Sequence, residues 1–191
     1  MKKSTLTWII IAVVALIFLT WIIATFNTFV TLDKNVEKEW ANIEAQYQRR
    51  FDLIPNTAAA VKNYAQYEKE TLTELTSLRT SWAVANTPAE LDAQAAEANS
   101  VLSRLLAIAE NYPDLKASQT YLSLMDQLEG TENRISVARQ RYNEAVRKFN
   151  TAIKRFPARI IAGWFGYNIE KESFSSVAGA ETAPDIGELL S

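Results

Sequence analysis

Cysteine and histidine are both absent from the 191 residues of this chain. The protein therefore has no disulfide, no thiolate nucleophile and no imidazole base for a Ser-His-Asp triad. The same absences exclude zinc sites of the Cys/His type and the Glu-x-x-His pairs of di-iron helical bundles. The sequence also has no glycine-rich loop beside its carboxylates. We therefore predict that the protein is not an enzyme and that it has no metal, no cofactor and no small-molecule substrate.

Charge and helix breakers are scarce as well. The net charge is −2, whereas domains that bind nucleic acid usually have a marked basic excess, so nucleic acid is not an expected partner. Only five glycines or prolines fall between Thr28 and the end of the helical region, so helices should dominate it. They are Pro55, Pro88, Pro113, Gly130 and Pro157.

A long run without charge occupies the N-terminal part of the chain. Residues 8–26 are almost continuously apolar, which is about the 20 residues needed to span hydrocarbon. A signal peptide has a shorter apolar region, of about 7–15 residues, and ends in a small-x-small cleavage site. The sequence Thr25-Phe26-Asn27-Thr28-Phe29 is a poor cleavage site. We expect residues 1–27 to form a short tail and a transmembrane anchor that remains on the mature protein and contacts lipid through residues 8–26.

The side of the membrane follows from the lysines that flank the anchor. Lys2 and Lys3 precede it, and Lys34 and Lys38 follow it. By a narrow margin, the positive-inside rule favours a cytoplasmic N-terminus with the rest of the protein on the extracytoplasmic side.

Apolar residues at three- to four-residue spacing predict four helices after the anchor. Thr87 and Pro88 suit the N-cap and first position of the third helix, which residues 111–114 end. The first three stripes are Val36, Trp40, Ile43, Tyr47, Ile54; then Val61, Tyr64, Leu72, Leu75, Leu78, Trp82; and then Leu91, Ala95, Ala98, Leu102, Leu105, Ala109.

The fourth helix has a strict heptad, which predicts coiled-coil-like packing. From Ser118 to Phe156 it would extend roughly 58 Å. The heptad positions are Tyr121, Leu128, Ile135, Tyr142, Phe149 and Phe156.

Pro55 leaves two possible paths for the chain. Trp40, Ile54 and Trp82 share one heptad phase, so Pro55 could merely kink a single helix of roughly 85 Å. The third helix, at about 33 Å, would then not return far enough for the fourth to lie beside the first. We therefore predict a turn at residues 50–55, with Asp52 as a cap.

The resulting prediction is an all-α fold, with an N-terminal transmembrane helix followed by a long up-and-down four-helix bundle. The bundle occupies residues 28–174, and residues 175–191 form a flexible C-terminal tail.

Two stretches of the chain resemble the signatures of LemA family proteins. The first is residues 40–56, which read WANIEAQYQRRFDLIPN; the second includes Tyr112-Pro-Asp-Leu-Lys-Ala-Ser118 and Leu128-Glu-Gly-Thr-Glu-Asn-Arg-Ile135, and continues to Phe156-Pro157. The resemblance implies a bacterial membrane protein with a four-helix bundle, from a family not known for enzymes. Some family members are linked to membrane organisation, and others are encoded beside membrane proteases. The tail, residues 183–191, departs from the family's usual Pro-x-Val-x-Phe-like ending.

Three groups of charged residues are candidate sites. Arg49, Arg50 and Asp52 would either bind an anionic ligand at the predicted turn or satisfy helix ends there. Glu132 and Arg139 lie near the heptad seam and are expected to form ion pairs across the bundle. A basic ridge on the fourth helix would either face anionic lipid or an acidic partner, or pair with Glu37, Glu44 and other acids. The ridge consists of Arg134, Arg141, Lys148 and Arg155.

A cluster of large apolar residues follows Pro157. In an up-and-down bundle the fourth helix returns toward the membrane, so residues 156–167, including Trp164, should lie at the membrane-proximal end. They would either enter the membrane interface or pack against the first helix near Phe29 or Val36.

These features predict a membrane-anchored scaffold or assembly protein in the bacterial cytoplasmic membrane. It would act through protein–protein contact and self-association as a homo-oligomer. The alternative is an adaptor or regulator of a membrane-bound protease or signalling enzyme, with a membrane protein as its client.

Overall fold

The computed structural model describes residues 3–62 and 85–175. Of these residues 86% are helical, and none lies in a strand, so the predicted all-α class is confirmed. One long N-terminal helix, apolar in its first part, is followed by several further helices, with bundle-like packing. Their bounds are α1, Lys3–Lys62; α2, Pro88–Glu110; α3, Pro113–Lys116; α4, Gln119–Lys154; and α5, Ala158–Trp164.

The N-terminal part of α1 presents its apolar side chains to the surroundings. An 18-residue window has a mean hydropathy of 2.9, and none of it is buried against the rest of the protein. Trp8, Val14 and Phe18 are each at least half exposed. By length and composition α1 is the one helix among the described residues that is apolar enough to cross a membrane. This confirms the predicted apolar N-terminal helix and supports membrane association.

Helix α1 continues through Pro55, so the predicted turn at residues 50–55 is wrong. A proline inside a helix removes one backbone hydrogen bond and costs about 3 kcal/mol relative to alanine. The turns around it bury Phe51, Leu53, Ile54, Ala58 and Val61, and each large apolar side chain contributes roughly 1.5–3 kcal/mol when fully buried. Burial on both sides of the proline therefore outweighs the lost bond. The buried Thr57 hydroxyl also donates to the carbonyl of Leu53, at 3.0 Å.

Helix α2 begins and ends where the sequence predicts. Thr87 is its N-cap, in extended conformation, and its hydroxyl accepts from the backbone N–H of Glu90 at 3.2 Å. Pro88 occupies the first turn, and Asn111 is the C-cap. Five of the six predicted stripe residues are buried, and Ala95 is half-buried.

Helix α4 buries side chains at alternating three- and four-residue steps, as its heptad predicts. The buried set is Tyr121, Leu124, Leu128, Thr131, Ile135, Ala138, Tyr142, Ala145, Val146, Phe149 and Ile153. The prediction is wrong at Phe156, which lies beyond the end of the helix and is 80% exposed. The chain turns after Lys154, so this residue cannot continue the seam.

Two predictions fall outside the described residues. The second predicted helix lies in residues 63–84 apart from Val61, which belongs to the last turn of α1. The predicted C-terminal tail lies outside them too, apart from Ser175.

The chain divides into two compact units. The first consists of residues 1–50 and 128–171, and the second of residues 51–127 and 172–191. Val61, Ala109, Leu115 and Tyr121 form a buried cluster within the second unit. The residues that carry the candidate site all lie in the first unit.

Candidate functional site

In the first unit, α1 and α4 run antiparallel beside each other. The ring of Trp40 lies 5.4 Å from that of Tyr142, between centroids, and Arg50 forms an ion pair with Glu132. Trp40 and Arg50 are as far apart along α1 as Glu132 and Tyr142 are along α4. These two contacts therefore set the register of the pair, and they confirm the predicted ion pairing of Glu132 across the helices.

One line of polar residues follows the side of α1 that borders α4. Glu39, Asn42, Gln46 and Arg50 recur at three- to four-residue steps, which places them on one face of the helix. Glu39 is only 8% exposed. The Asn42 amide donates to its carboxylate at 3.0 Å, and Lys38 lies 3.3 Å from the other oxygen.

The Glu39 carboxylate is held in its charged form. The hydrogen bond from Asn42 lowers its pKa most, and Lys38 and Arg141 lower it further. Burial opposes them by raising the pKa, but the net shift is downward. A buried anion is thus fixed at the α1–α4 seam.

A cleft of about 310 Å³ opens along this seam. The side-chain amide oxygen of Gln46 is buried without a hydrogen-bond partner among the described residues. A buried polar atom left unpaired costs roughly 1–3 kcal/mol, so a further hydrogen-bond donor at this oxygen would be favourable. The cleft is lined by Glu39, Asn42, Gln46, Asn133, Arg134, Val137, Ala138 and Arg141.

The four residues of the predicted basic ridge lie on the exposed surface of α4 and just beyond it. Arg134 and Arg141 border the cleft. Lys148 lies 3.4 Å from Glu144 on its own helix, rather than pairing with Glu37 or Glu44. Those two acids bond within α1, where Glu37 accepts from Lys34 and Glu44 accepts from Trp40.

Glu144 also has a close partner on its own helix. Both of its carboxylate oxygens accept from Arg147, at 2.8 Å each. These bonds, with a smaller contribution from Lys148, lower the pKa of Glu144 to about 2.

Arg49, Arg50 and Asp52 lie within the continuous helix α1, so the predicted turn and the capping of helix ends there are wrong, while binding of an anion by these residues stays a prediction. No helix end is present there for these charges to cap. The Arg50 side chain is 11% exposed and pairs with Glu132, while Arg49 and Asp52 lie on the exposed surface. Burial lowers the pKa of the Arg50 guanidinium below its usual value.

After the short helix α5 the chain folds back against the N-terminal helix α1. Gly166 has a φ of 80°, which glycine adopts without strain, and the backbone N–H of Tyr167 donates to the carbonyl of Ala162 at 2.9 Å. This arrangement is a Schellman motif. It directs Tyr167 onto α1, 5.8 Å from the Phe29 ring and 6.2 Å from the Phe26 ring.

Phe165 and Lys171 make further contacts at the same end of the first unit, near Phe26 and Asp33 of α1. The ring of Phe165 lies 4.7 Å from that of Phe26, which confirms that this segment packs beside the end of the apolar run. Asn150 exchanges two hydrogen bonds of 2.9 Å with the backbone of Lys171. Lys171 in turn pairs with Asp33 at 2.7 Å. Trp164 takes no part in this packing and is 69% exposed.

The sequence analysis did not select Glu39, Asn42 or Gln46 as site residues. Their signal is a polar line that interrupts the apolar stripe of α1, with Glu39 between Val36 and Ile43 and Gln46 just before Tyr47. A carboxylate and an amide at those positions indicate a seam that is not purely apolar.

Comparison with known proteins places the chain in a family. The model of the LemA family matches residues 39–187. Magnetosome protein MamQ 2 of Paramagnetospirillum magneticum is 26% identical over 185 residues, covering 83% of this chain and 67% of the relative. Magnetosome protein MamQ of Magnetospirillum gryphiswaldense is 25% identical over 184 residues, covering 82% and 68%. Neither the family description nor these names denote an enzyme. Since the family model matches well over half of its length, the chain belongs to the LemA family.

Proposed function

We propose that this protein is a membrane-anchored scaffold that acts by self-association, without catalysis. It sits in a bacterial cytoplasmic membrane with its helical units on the extracytoplasmic side, as the flanking lysines favour. The observation that carries the proposal is the α1–α4 cleft, where Arg134 and Arg141 are exposed beside a buried amide oxygen of Gln46 that has no partner among the described residues. Such a cleft suits polar side chains from another protein surface.

A second copy of the chain fits this cleft on grounds of height and charge. Anchors in one membrane hold all copies at the same level, so any contact joins surfaces of equal height. Trp40 and Tyr142 are in contact and mark one level of the α1–α4 pair. Further from the anchor, Glu44 lies about one turn from this level on α1, and Arg134 lies about two turns from it on α4. Exposed acidic and basic groups therefore occur at nearby levels. An acidic surface that meets a basic surface of the next copy makes a heterologous contact. Such contacts repeat along an array unless the rotation closes a ring.

The relatives support a structural role over a reaction. The MamQ proteins are named for the magnetosome and not for a substrate or an activity. A scaffold that joins copies in the plane of a membrane is consistent with such names.

Equilibrium sedimentation of the full chain in mild detergent tests self-association. We expect oligomers whose size rises with concentration, and we expect Arg134→Glu with Arg141→Glu to shift them to monomer. The matched control reverses two exposed cations of the second unit, Arg104→Glu with Lys116→Glu, and should leave the oligomers unchanged. A protein that is monomeric at every concentration would contradict the scaffold. If it then becomes larger only when a client is added, it behaves as an adaptor.

Because the chain lacks cysteine, disulfide crosslinking in membranes can test the direction of the contact. Two tagged versions, Glu44→Cys and Val137→Cys, would be produced together and oxidised mildly. Val137 lines the cleft and is 38% exposed. Random pairing already gives twice as much mixed dimer as either homodimer. A heterologous contact predicts a mixed dimer well above that twofold excess, whereas the random distribution or an excess of either homodimer would contradict it.

A further inference from the structure

Large exposed apolar side chains gather at one place outside α1. Eight such side chains are exposed in the described part of the chain beyond α1, and five of them lie within residues 156–169. We call these five the base patch. They are Phe156 (80% exposed), Ile160 (49%), Trp164 (69%), Phe165 (49%) and Ile169 (75%). Such a concentration of exposed apolar side chains in one short segment favours an interaction surface, because monomeric soluble proteins rarely expose large apolar patches.

The base patch lies level with the end of the apolar run of α1. Phe26, the last residue of that run, precedes Trp40 by as many residues as Phe156 follows Tyr142, and Trp40 and Tyr142 are in contact. The contacts of Phe165 and Tyr167 with Phe26 fix this level directly. From Phe26 to Asp33, the first charged residue after the run, α1 rises about 10 Å. The headgroup layer on each side of the hydrocarbon is roughly 5–8 Å thick, so the patch falls at its depth.

Helix α5 has one face buried against the unit and an opposite face with exposed apolar side chains, as a helix at a membrane interface requires. Ile161 and Ala162 are buried against the unit, while Ile160 and Trp164, one turn apart, lie on the exposed face. Tryptophan suits the membrane interface, because its ring is apolar and its N–H can bond to water or headgroups.

Cations border the same surface. Arg155 and Arg159 are exposed on either side of the start of α5. Arg159 also lines a cleft of about 530 Å³, together with Lys154, Gly163 and Asn168. Lys154 is already paired with Glu170 at 2.7 Å, so the two arginines are the groups suited to phosphate.

We propose that the base patch docks on the bilayer that holds the anchor. Phe156, Ile160 and Trp164 insert at headgroup depth, and Arg155 and Arg159 bind the phosphates of anionic lipids. The occupant is lipid because the patch is continuous with the lipid-exposed end of α1, through Phe26. Docking at a second point beside the anchor fixes the tilt and rotation of the first unit relative to the membrane. This inference does not depend on self-association.

Tryptophan quenching by brominated lipids tests the docking. The full chain is prepared with Trp164 as its single tryptophan, the other four being changed to phenylalanine, and is reconstituted into vesicles that contain anionic lipid. Lipids brominated near the top of the acyl chains should quench most of the Trp164 emission, and lipids brominated near the chain ends should quench less. The control retains only Trp40. This residue lies about 21 Å beyond Phe26 along α1, so it should not be quenched. If Trp164 behaves like Trp40, the proposal is wrong.

The role of the arginines is tested with Arg155→Glu and Arg159→Glu together in the single-Trp164 chain. Both side chains are exposed, so the fold should persist, and circular dichroism checks that it does. In the parent, quenching should rise with the anionic lipid content. In the reversed variant that dependence should be lost, and an unchanged dependence would contradict the phosphate contacts.

A second labelling scheme avoids the loss of four tryptophans. Trp164→Cys in the otherwise native chain gives the only thiol, which can carry a nitroxide spin label. Accessibility to oxygen should exceed accessibility to a water-soluble nickel reagent at this position. The reverse order would show that the base patch faces water or a protein surface, and would overturn the proposal.

Discussion

At the scale of single residues, heptad phase alone does not decide burial. Phe149 and Phe156 occupy equivalent positions in the repeat, yet Phe149 is 1% exposed and Phe156 is 80% exposed. Phe149 is covered by the ring of Tyr167 at 6.2 Å and by the ammonium of Lys171 at 5.5 Å. Both covering groups come from the chain after α5, which folds back over the end of α4.

Phe149→Ala should therefore lower the stability of the protein substantially. Removal of a fully buried phenylalanine costs about 3–5 kcal/mol, through lost burial and the cavity left behind. Urea unfolding of the full chain in mild detergent, followed by circular dichroism, measures the change. Leu122→Ala is the matched control, because this residue of the same helix is 45% exposed and should change the free energy of unfolding by less than about 1 kcal/mol. Equal losses for the two variants would show that the seam is assigned wrongly.

The charged residues of the candidate site were harder to predict than its apolar neighbours. A stripe of leucines or aromatics indicates its own burial, whereas the partner of a charge depends on the register between helices that are distant in sequence. Arg50 and Glu132 illustrate this, because their pairing requires the antiparallel alignment of α1 with α4. The sequence analysis placed Glu132 at the seam but assigned Arg50 to a turn.

At the scale of helices, local signals succeeded where they were not opposed by packing. Thr87 and Pro88 predicted the start of α2 because capping depends on a few adjacent residues. Pro55 wrongly predicted a turn. The effect of a proline is confined to its own helical turn, whereas the burial that outweighs it involves residues on both sides of the proline. The heptad phase that Trp40 shares with Ile54 was the correct indication that the helix continues through Pro55.

Pro55→Ala should stabilise the protein. Alanine restores the missing backbone hydrogen bond within α1, and proline in a helix interior is about 3 kcal/mol less favourable than alanine. Because the surroundings already accommodate the proline, we expect a gain of about 1–3 kcal/mol, measured by thermal or urea unfolding. The control is Pro88→Ala, in the first turn of α2, where proline is tolerated and no gain should follow. A loss of stability in Pro55→Ala would indicate that the chain requires a turn or kink at this position.

At the scale of the whole molecule, composition and one apolar run predicted the class of the protein. The scarcity of glycine and proline indicated helices, and residues 8–26 indicated a membrane anchor. The division into two units, each drawing residues from both α1 and α4, could not be predicted in this way. It depends on contacts between distant segments, which neither periodicity nor composition records.

The central claim is that one continuous helix, α1, both spans the membrane and forms half of the antiparallel pair that carries the site. Cysteine accessibility in intact membranes tests it most directly, because every thiol must be introduced into a chain that has none. Single variants Val14→Cys, Leu19→Cys, Glu37→Cys and Arg49→Cys, all at exposed positions of α1, would be treated with a membrane-impermeant maleimide from both faces of the membrane. We predict no labelling at residues 14 and 19 until detergent is added, and labelling at residues 37 and 49 from one face. Labelling at residue 14 or 19 before detergent is added, or protection at both 37 and 49, would contradict the claim.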